Sequence, residues 1–229
     1  MKSFADRVIQ FNRSLHFEGA LPEGIRIMNP FREDPAAMAI ATAFYKKYYD
    51  DRQQRHIILG INPGRFGGGI TGVPFTDPKR LVEKCGIPFP GPMAHEPSSV
   101  FIYEMIDAFG GPEAFYGKIY INSVCPLGFT SKNRNGKEVN YNYYDSPELT
   151  AAVYGFMNDS IRKQLSFGVH RDTAFCFGTG KNEKFLQALN AEKNYFGKII
   201  ALEHPRFIMQ YKSKQKAFYI DKYLKAFGG

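Results

Sequence analysis

Four short apolar runs punctuate the chain: His56–Asn62, Lys118–Val124, Thr173–Gly178 and Lys198–His204. Each is rich in Ile, Val, Phe or Tyr and lacks the clean polar alternation of a strand with one wet face, so each reads as a strand covered on both sides. Between and beyond them the apolar spacing changes to a helical one, over Pro78–Cys85, Ser98–Phe109, Leu149–Leu165, Lys181–Ala191 and Gln215–Phe227. Ser3–Leu15 and Pro35–Asp50 read as further helices packed outside. Helices between successive strands imply crossovers, hence an α/β fold around a mainly parallel sheet.

In such a sheet ligands sit beyond the carboxyl ends of the strands. The four runs end on Asn62, on Asn122-Ser123, on Gly178-Thr179-Gly180 and on His204-Pro205. Four separated segments therefore deliver polar groups to one rim.

Behind the first strand lies GINPGRFGGGITGVPF, residues 60–75, with six glycines and two prolines. Gly60 and Gly64 let the chain turn sharply around Asn62, and Gly67-Gly68-Gly69 leaves backbone N–H groups uncovered for an oxygen-rich ligand. The stretch lacks GxxxxGK[ST] and GxGxxG, so neither a P-loop nor a dinucleotide fingerprint is present, and no G-x-S-x-G marks a hydrolase nucleophile.

Composition narrows the class further. At 229 residues and 44% hydrophobic content the chain fits one large domain spanning 1–229. The net charge of +8 favours a polyanionic partner. Cys85, Cys125 and Cys176 form no C-x-x-C pair and sit in apolar surroundings, which argues against a zinc ribbon or a disulfide framework. The five His are scattered, so no metal and no cofactor are expected. MKSFADRVIQFNRS carries no secretory apolar core, and no apolar run nears the ~20 residues that span a bilayer. A cytoplasmic monomer, nucleoid-associated if the source is bacterial, is expected.

Asn62 and His204 suit a reaction with an anionic leaving group. An Asn carbonyl can orient a water, and an imidazole can hydrogen-bond an oxygen where negative charge develops. N-glycosidic cleavage needs little more, because water only has to trap an oxocarbenium-like sugar. Phe75 could stack on the departing base.

In these residues the chain resembles the uracil-DNA glycosylase superfamily, nearest its single-strand-selective monofunctional branch. G-x-N-P-G-x-F-G continuing into T-G-V-P-F matches the first family motif, Cys125-Pro126-Leu127 matches the C-P-L after a core strand, and His204-Pro205-Arg206-Phe207 matches the second motif. The resemblance implies a three-layer α/β/α sandwich around a short, mainly parallel four-stranded sheet, and a glycosylase that flips uracil out of single- or double-stranded DNA and hydrolyses it off during base excision repair, without lyase activity. It also implies that Asn62 positions water, that His204 stabilises O2 of the uracil anion and that Phe75 stacks on the base. Gly60, Ile61, Gly64, Arg65, Phe66 and Gly68 would line the base site, with backbone N–H groups near Ile61 and Arg65 reaching uracil oxygens and Thr71 shaping the floor.

Two departures stand out. Where the family reads the uracil edge with an Asn two residues before the Cys of C-P-L, this chain has Ser123, with Asn122 one residue earlier. Adjacent strand residues face opposite ways, so one of them faces the base; the alignment favours Ser123 and leaves Asn122 open. After the second motif, a Pro/Asn-rich wedge is replaced by Arg206-Phe207-Ile208-Met209, followed by Lys212 and Lys214. Arg206, Phe207, Ile208, Lys212 and Lys214 are the expected DNA contacts, with Met209 a further wedge candidate and Ser131–Lys137 a second basic loop. A glycosylase for xanthine or hypoxanthine, a non-catalytic DNA-binding member of the fold and a small-molecule enzyme using the glycine loop are the alternatives.

Overall fold

The computed structural model describes residues 2–228. In chain order its elements are α1 (Phe4–Ser14), β1 (Ile25–Met28), α2 (Pro30–Glu33), α3 (Pro35–Tyr49), β2 (His56–Gly60), α4 (Gly68–Thr71), α5 (Pro78–Cys85) and α6 (Pro97–Phe109). There follow α7 (Pro112–Lys118), β3 (Ile119–Ser123), β4 (Gly128–Lys132), β5 (Glu138–Tyr141), α8 (Pro147–Leu165) and β6 (Thr173–Phe177). The chain closes with α9 (Lys181–Lys193), β7 (Lys198–Leu202), α10 (Pro205–Tyr211), a 3-10 turn (Ser213–Gln215) and α11 (Lys216–Phe227).

The four expected strands form one parallel sheet in the order β3-β2-β6-β7. Each is shorter than its apolar run: β2 stops at Gly60, and His204 lies two residues past β7. Local chemistry explains the helix starts. The Asp77 and Ser146 side chains accept the Arg80 and Leu149 N–H groups, and each is followed by Pro at the first helical position, where the missing N–H does no harm.

Pairing fixes which residue faces which layer. Tyr120 of β3 meets Phe4 of α1 edge-on at 5.2 Å and donates to Gln164 of α8 at 3.2 Å, so its face lies under α1 and α8. Phe175 and Phe177 of β6 meet Phe227 and Tyr223 of α11 at 4.8 and 5.2 Å, so theirs lies under α11, which packs on α6. Helices thus cover both faces of the sheet, the three-layer sandwich that the resemblance implied. At its N-terminal edge the fully buried Arg55 sits between Phe4 and Tyr49, 4.9 and 4.8 Å from their ring centroids, and pairs with Asp51 at 2.8 Å.

A second, antiparallel sheet, β1-β4-β5, was not anticipated. Its strands have four or five residues and mixed polarity, too short to show a period. The available signal was Asn135-Gly136, with Gly136 at φ 71° and Asn133 Oδ1 accepting the Asn135 and Lys137 N–H groups at 3.0 Å. The basic Ser131–Lys137 loop is therefore the tip of the β4–β5 hairpin, and the base of that hairpin builds the site.

Candidate active site

Beyond the carboxyl ends of the parallel strands opens a cavity of about 520 Å³ whose wall includes both Asn62 and His204. Asn62 follows β2 and is gripped by the chain leaving β5. Its Oδ1 accepts the Tyr143 N–H at 3.1 Å, and its Nδ2 donates to the Tyr141 carbonyl at 3.2 Å. One lone pair of Oδ1 stays available, the valence needed to hold a water.

His204 caps the N-terminus of α10. Its Nδ1 accepts the Arg206 N–H at 3.1 Å, which assigns the proton of a neutral imidazole to Nε2. Burial, aided by the Arg206 charge, pulls its pKa down to about 4, so near neutrality the ring is an uncharged donor. The preceding residue is tied down as well: Glu203 takes Lys222 on both carboxylate oxygens at 2.8 and 3.0 Å, and its carbonyl accepts the Tyr223 hydroxyl.

Phe75 stands beside the imidazole, ring centroids 5.6 Å apart, and meets Phe177 edge-on at 5.4 Å. Its backbone lies at φ 54°, a region unfavourable for a bulky side chain, so the surroundings hold the ring in place against about 1–3 kcal/mol of local strain. Gly60 permits this, since a Cβ there would lie 3.0 Å from the ring.

The strand register places Ser123 and Asn122 on opposite faces. Ser123 pairs with Gly60, on the Phe75 side, and lines the cavity; Asn122 pairs with Leu59 and faces away. The Asn122 amide is consumed locally, donating to the Tyr120 hydroxyl at 2.6 Å and accepting the Ser123 N–H at 2.8 Å. The expected place of Asn122 beside the base is thus corrected: its side chain lies on the face away from the cavity.

Ile61, Gly64 and Gly68 line the cavity as expected, and Gly60 backs it through Phe75. Two other expectations, for Arg65 and Phe66, need correction. The Arg65 N–H already donates to Asn140 Oδ1 at 3.0 Å and its guanidinium turns to Glu138 at 3.4 Å, so it is committed to the hairpin. Phe66 is exposed and lies under the Arg65 guanidinium at 4.7 Å, outside the cavity wall. Thr71 is buried and spends its hydroxyl on the Thr76 carbonyl at 2.7 Å, bracing the loop from behind.

Helical spacing redistributes the expected wedge. Arg206, Phe207, Gln210 and Tyr211 share the cavity face of α10, whereas Ile208 is fully buried, with α10 packed on α6. Ile208 cannot enter a base stack without leaving the core, and Met209 is partly buried against that core as well. Tyr211, which the sequence reading passed over, stacks with Phe207 at 5.4 Å. Lys214 is exposed and Lys212 half-buried; among the described residues neither makes an ion pair. Also unforeseen in the wall are Glu96 and Ser98 from the start of α6, and Asn140, Asn142 and Tyr144 from the end of the hairpin. Asn135-Gly136 could have revealed the hairpin group; nothing in the sequence singles out Glu96.

Set against known proteins, residues 46–228 match the family model of the uracil DNA glycosylase superfamily. A solved structure of wild-type SMUG2 from Pedobacter heparinus is 65% identical, with a TM-score of 0.97 over 100% of this chain and 98% of that one. No curated protein matches the chain. A family match over most of the chain and a full-length structural relative at this identity agree with the cavity built from the two family motifs: the chain belongs to the uracil DNA glycosylase superfamily, a family of DNA glycosylases.

Proposed function

We propose that the protein is a monofunctional uracil-DNA glycosylase that extrudes uracil from single- or double-stranded DNA and hydrolyses its N-glycosidic bond in base excision repair, working as a monomer. The observation that carries this reading is the placement of a clamped Asn62 amide and a neutral His204 Nε2–H in the wall of one cavity, with the Phe75 ring beside the imidazole.

The extruded base stacks on Phe75 while His204 Nε2–H donates to O2. As the C1′–N1 bond lengthens, electrons pass to the base and this hydrogen bond strengthens. A preorganised donor of this kind contributes roughly 3–4 kcal/mol to the transition state. A neutral imidazole gives up no proton, so uracil departs as the anion. Asn62 Oδ1 orients the water that adds to the oxocarbenium-like C1′, and the water's proton passes to solvent. The products are free uracil and an abasic strand. Among the described residues no lysine lines the cavity to form a Schiff base with C1′, consistent with hydrolysis without strand cleavage.

The test is uracil release from single- and double-stranded oligonucleotides by the wild type, Asn62→Ala and His204→Ala. Each variant is expected to lose about 100- to 1,000-fold in single-turnover rate. Full activity in both would refute the assignment. Ser123 supports a second reading, in which xanthine or hypoxanthine is also accepted, because a hydroxyl constrains the base edge less than an amide does. Parallel assays on those bases decide it.

A further inference from the structure

Glu96 is an acidic side chain in the cavity wall for which the excision chemistry above has no use. It occupies the N-cap position of α6, yet its side chain makes no capping bond there. Its backbone N–H is held by Asp77 Oδ2 at 2.8 Å, and the fully buried Asp77 is anchored in turn by the Arg80 N–H and guanidinium at 2.8 and 3.3 Å. From this mount the carboxyl reaches over the glycine loop. A Cβ on Gly67 would fall 2.0 Å from Glu96 Oε2, and one on Gly64 3.5 Å from Oε1. The glycines form a slot that seats the carboxyl, which among the described residues accepts and donates no hydrogen bond.

We propose that the Glu96 carboxyl, as a neutral acid, reads the edge of the extruded base that carries O4 and N3–H, donating to O4 and accepting from N3–H. The inference rests on the uracil-excision reading. A carboxylic acid sets one donor beside one acceptor on a planar group, as a primary amide does, and Ser123 offers only a single hydroxyl oxygen to the base. An ionised carboxylate would lose the donor and oppose the charge growing on the departing base. Burial, and next the Asp77 carboxylate, push the Glu96 pKa up to about 7, with Arg206 opposing. The other titratable groups nearby are Arg80 and His95, both on Asp77, His204, which is neutral, and the phenols of Tyr144 and Tyr211 in the same cavity wall. A flipped base filling the cavity desolvates the carboxyl further and favours its protonated form.

The experiment compares single-turnover uracil release by the wild type, Glu96→Gln, Glu96→Leu and Gly67→Ala from about pH 6 to about pH 9. The wild-type rate is expected to fall about tenfold per pH unit on the alkaline side of the Glu96 ionisation. Glu96→Gln, which keeps the donor and acceptor but cannot ionise, should hold a flat profile within about fivefold of the wild-type maximum. Glu96→Leu should lose about tenfold to 100-fold throughout. Gly67→Ala, whose methyl displaces the carboxyl while leaving Glu96 in the chain, should resemble Glu96→Leu. Thermal unfolding and affinity for abasic-site DNA, both expected near wild-type values, separate base reading from damage to the fold. A Glu96→Leu variant with the wild-type rate and profile overturns the inference, as does a wild-type rate that rises through neutrality together with an inactive Glu96→Gln. A wild type that releases no uracil at any pH removes the excision reading itself, whereas an active wild type equalled by Glu96→Leu removes only the role of Glu96.

Discussion

Asn62 and Tyr143 are joined by a hydrogen bond from the Tyr143 backbone N–H to Asn62 Oδ1 at 3.1 Å, and that bond ties the Asn62 amide to the far side of the sheet. Tyr143 is fully buried, and its phenol donates to Asn182 Oδ1 at 2.7 Å. Asn182 Nδ2 then reaches the Phe177 carbonyl, at the end of β6, at 3.0 Å. Tyr143→Phe leaves the Asn182 oxygen buried without a donor, a loss of about 1–3 kcal/mol in urea unfolding. Because the clamp on Asn62 loosens while the base pocket is untouched, single-turnover release should fall severalfold with little change in DNA affinity. A variant that loses stability but keeps the full rate would show that the anchor serves folding alone.

His204 makes acid stability a readout of the site. Its folded pKa is about 4 against an ordinary value of 6.5. Between those values the unfolded chain takes up a proton that the folded protein refuses, so the His204 contribution to stability is intact above the upper value and is lost as pH falls towards the lower one. His204→Gln cannot titrate. In urea unfolding the wild type should therefore lose more stability than His204→Gln on moving from about pH 7 to about pH 5. Parallel pH profiles for the two proteins would contradict a depressed imidazole pKa.

How far the sequence carried this picture depends on period and length. The parallel strands were legible because they are buried runs flanked by long helices with clear spacing and capping residues. The rim residues Asn62, Ser123 and His204 followed from the rule that ligands gather at strand ends. Where the reading failed, tertiary context decided. The antiparallel sheet has strands too short for a period, and its one signal, Asn135-Gly136, was read as a basic loop. Ile208 looked like a wedge because it is apolar and follows the second motif where the family places one, whereas Pro205 starts a helix that turns Ile208 inward. Glu96 reaches the cavity only through its Asp77 mount and the vacancy at Gly67, neither of which leaves a local pattern.

Gly60 and Phe75 form a coupled pair that a double-mutant cycle can isolate. A methyl on Gly60 would stand 3.0 and 3.2 Å from two atoms of the Phe75 ring. The ring has little room to retreat, with Phe177 edge-on behind it and its own backbone fixed at positive φ. Gly60→Ala should destabilise the fold by about 1–2 kcal/mol through overpacking and lower uracil release about tenfold by tilting the stacking ring. Phe75→Ala removes the ring, and Gly60→Ala added to it should cause little further loss. Additive losses would mean that Gly60 acts on something other than the ring.

The proposed DNA contacts of α10 and its folding contacts lie on different faces of one short helix. Phe207 and Tyr211 are 41% and 65% exposed and stack on each other at 5.4 Å, while Ile208 is 0% exposed. Exposed aromatics at a cavity mouth suit stacking on the bases that flank the extruded one, so Phe207→Ala and Tyr211→Ala should each weaken binding to uracil-containing DNA by about 1–3 kcal/mol with unfolding midpoints unchanged. Ile208→Ala should do the reverse, losing about 2–5 kcal/mol of stability to a core cavity while the folded fraction binds DNA normally. Among the described residues Lys214 makes no ion pair that DNA would have to displace. Lys214→Ser should then weaken binding whatever the sequence and reduce the slope of log affinity against log salt by about 0.9, the signature of one lost phosphate contact. If the two aromatic variants bind as the wild type does and Lys214→Ser leaves the slope unchanged, DNA approaches the cavity from the hairpin side instead.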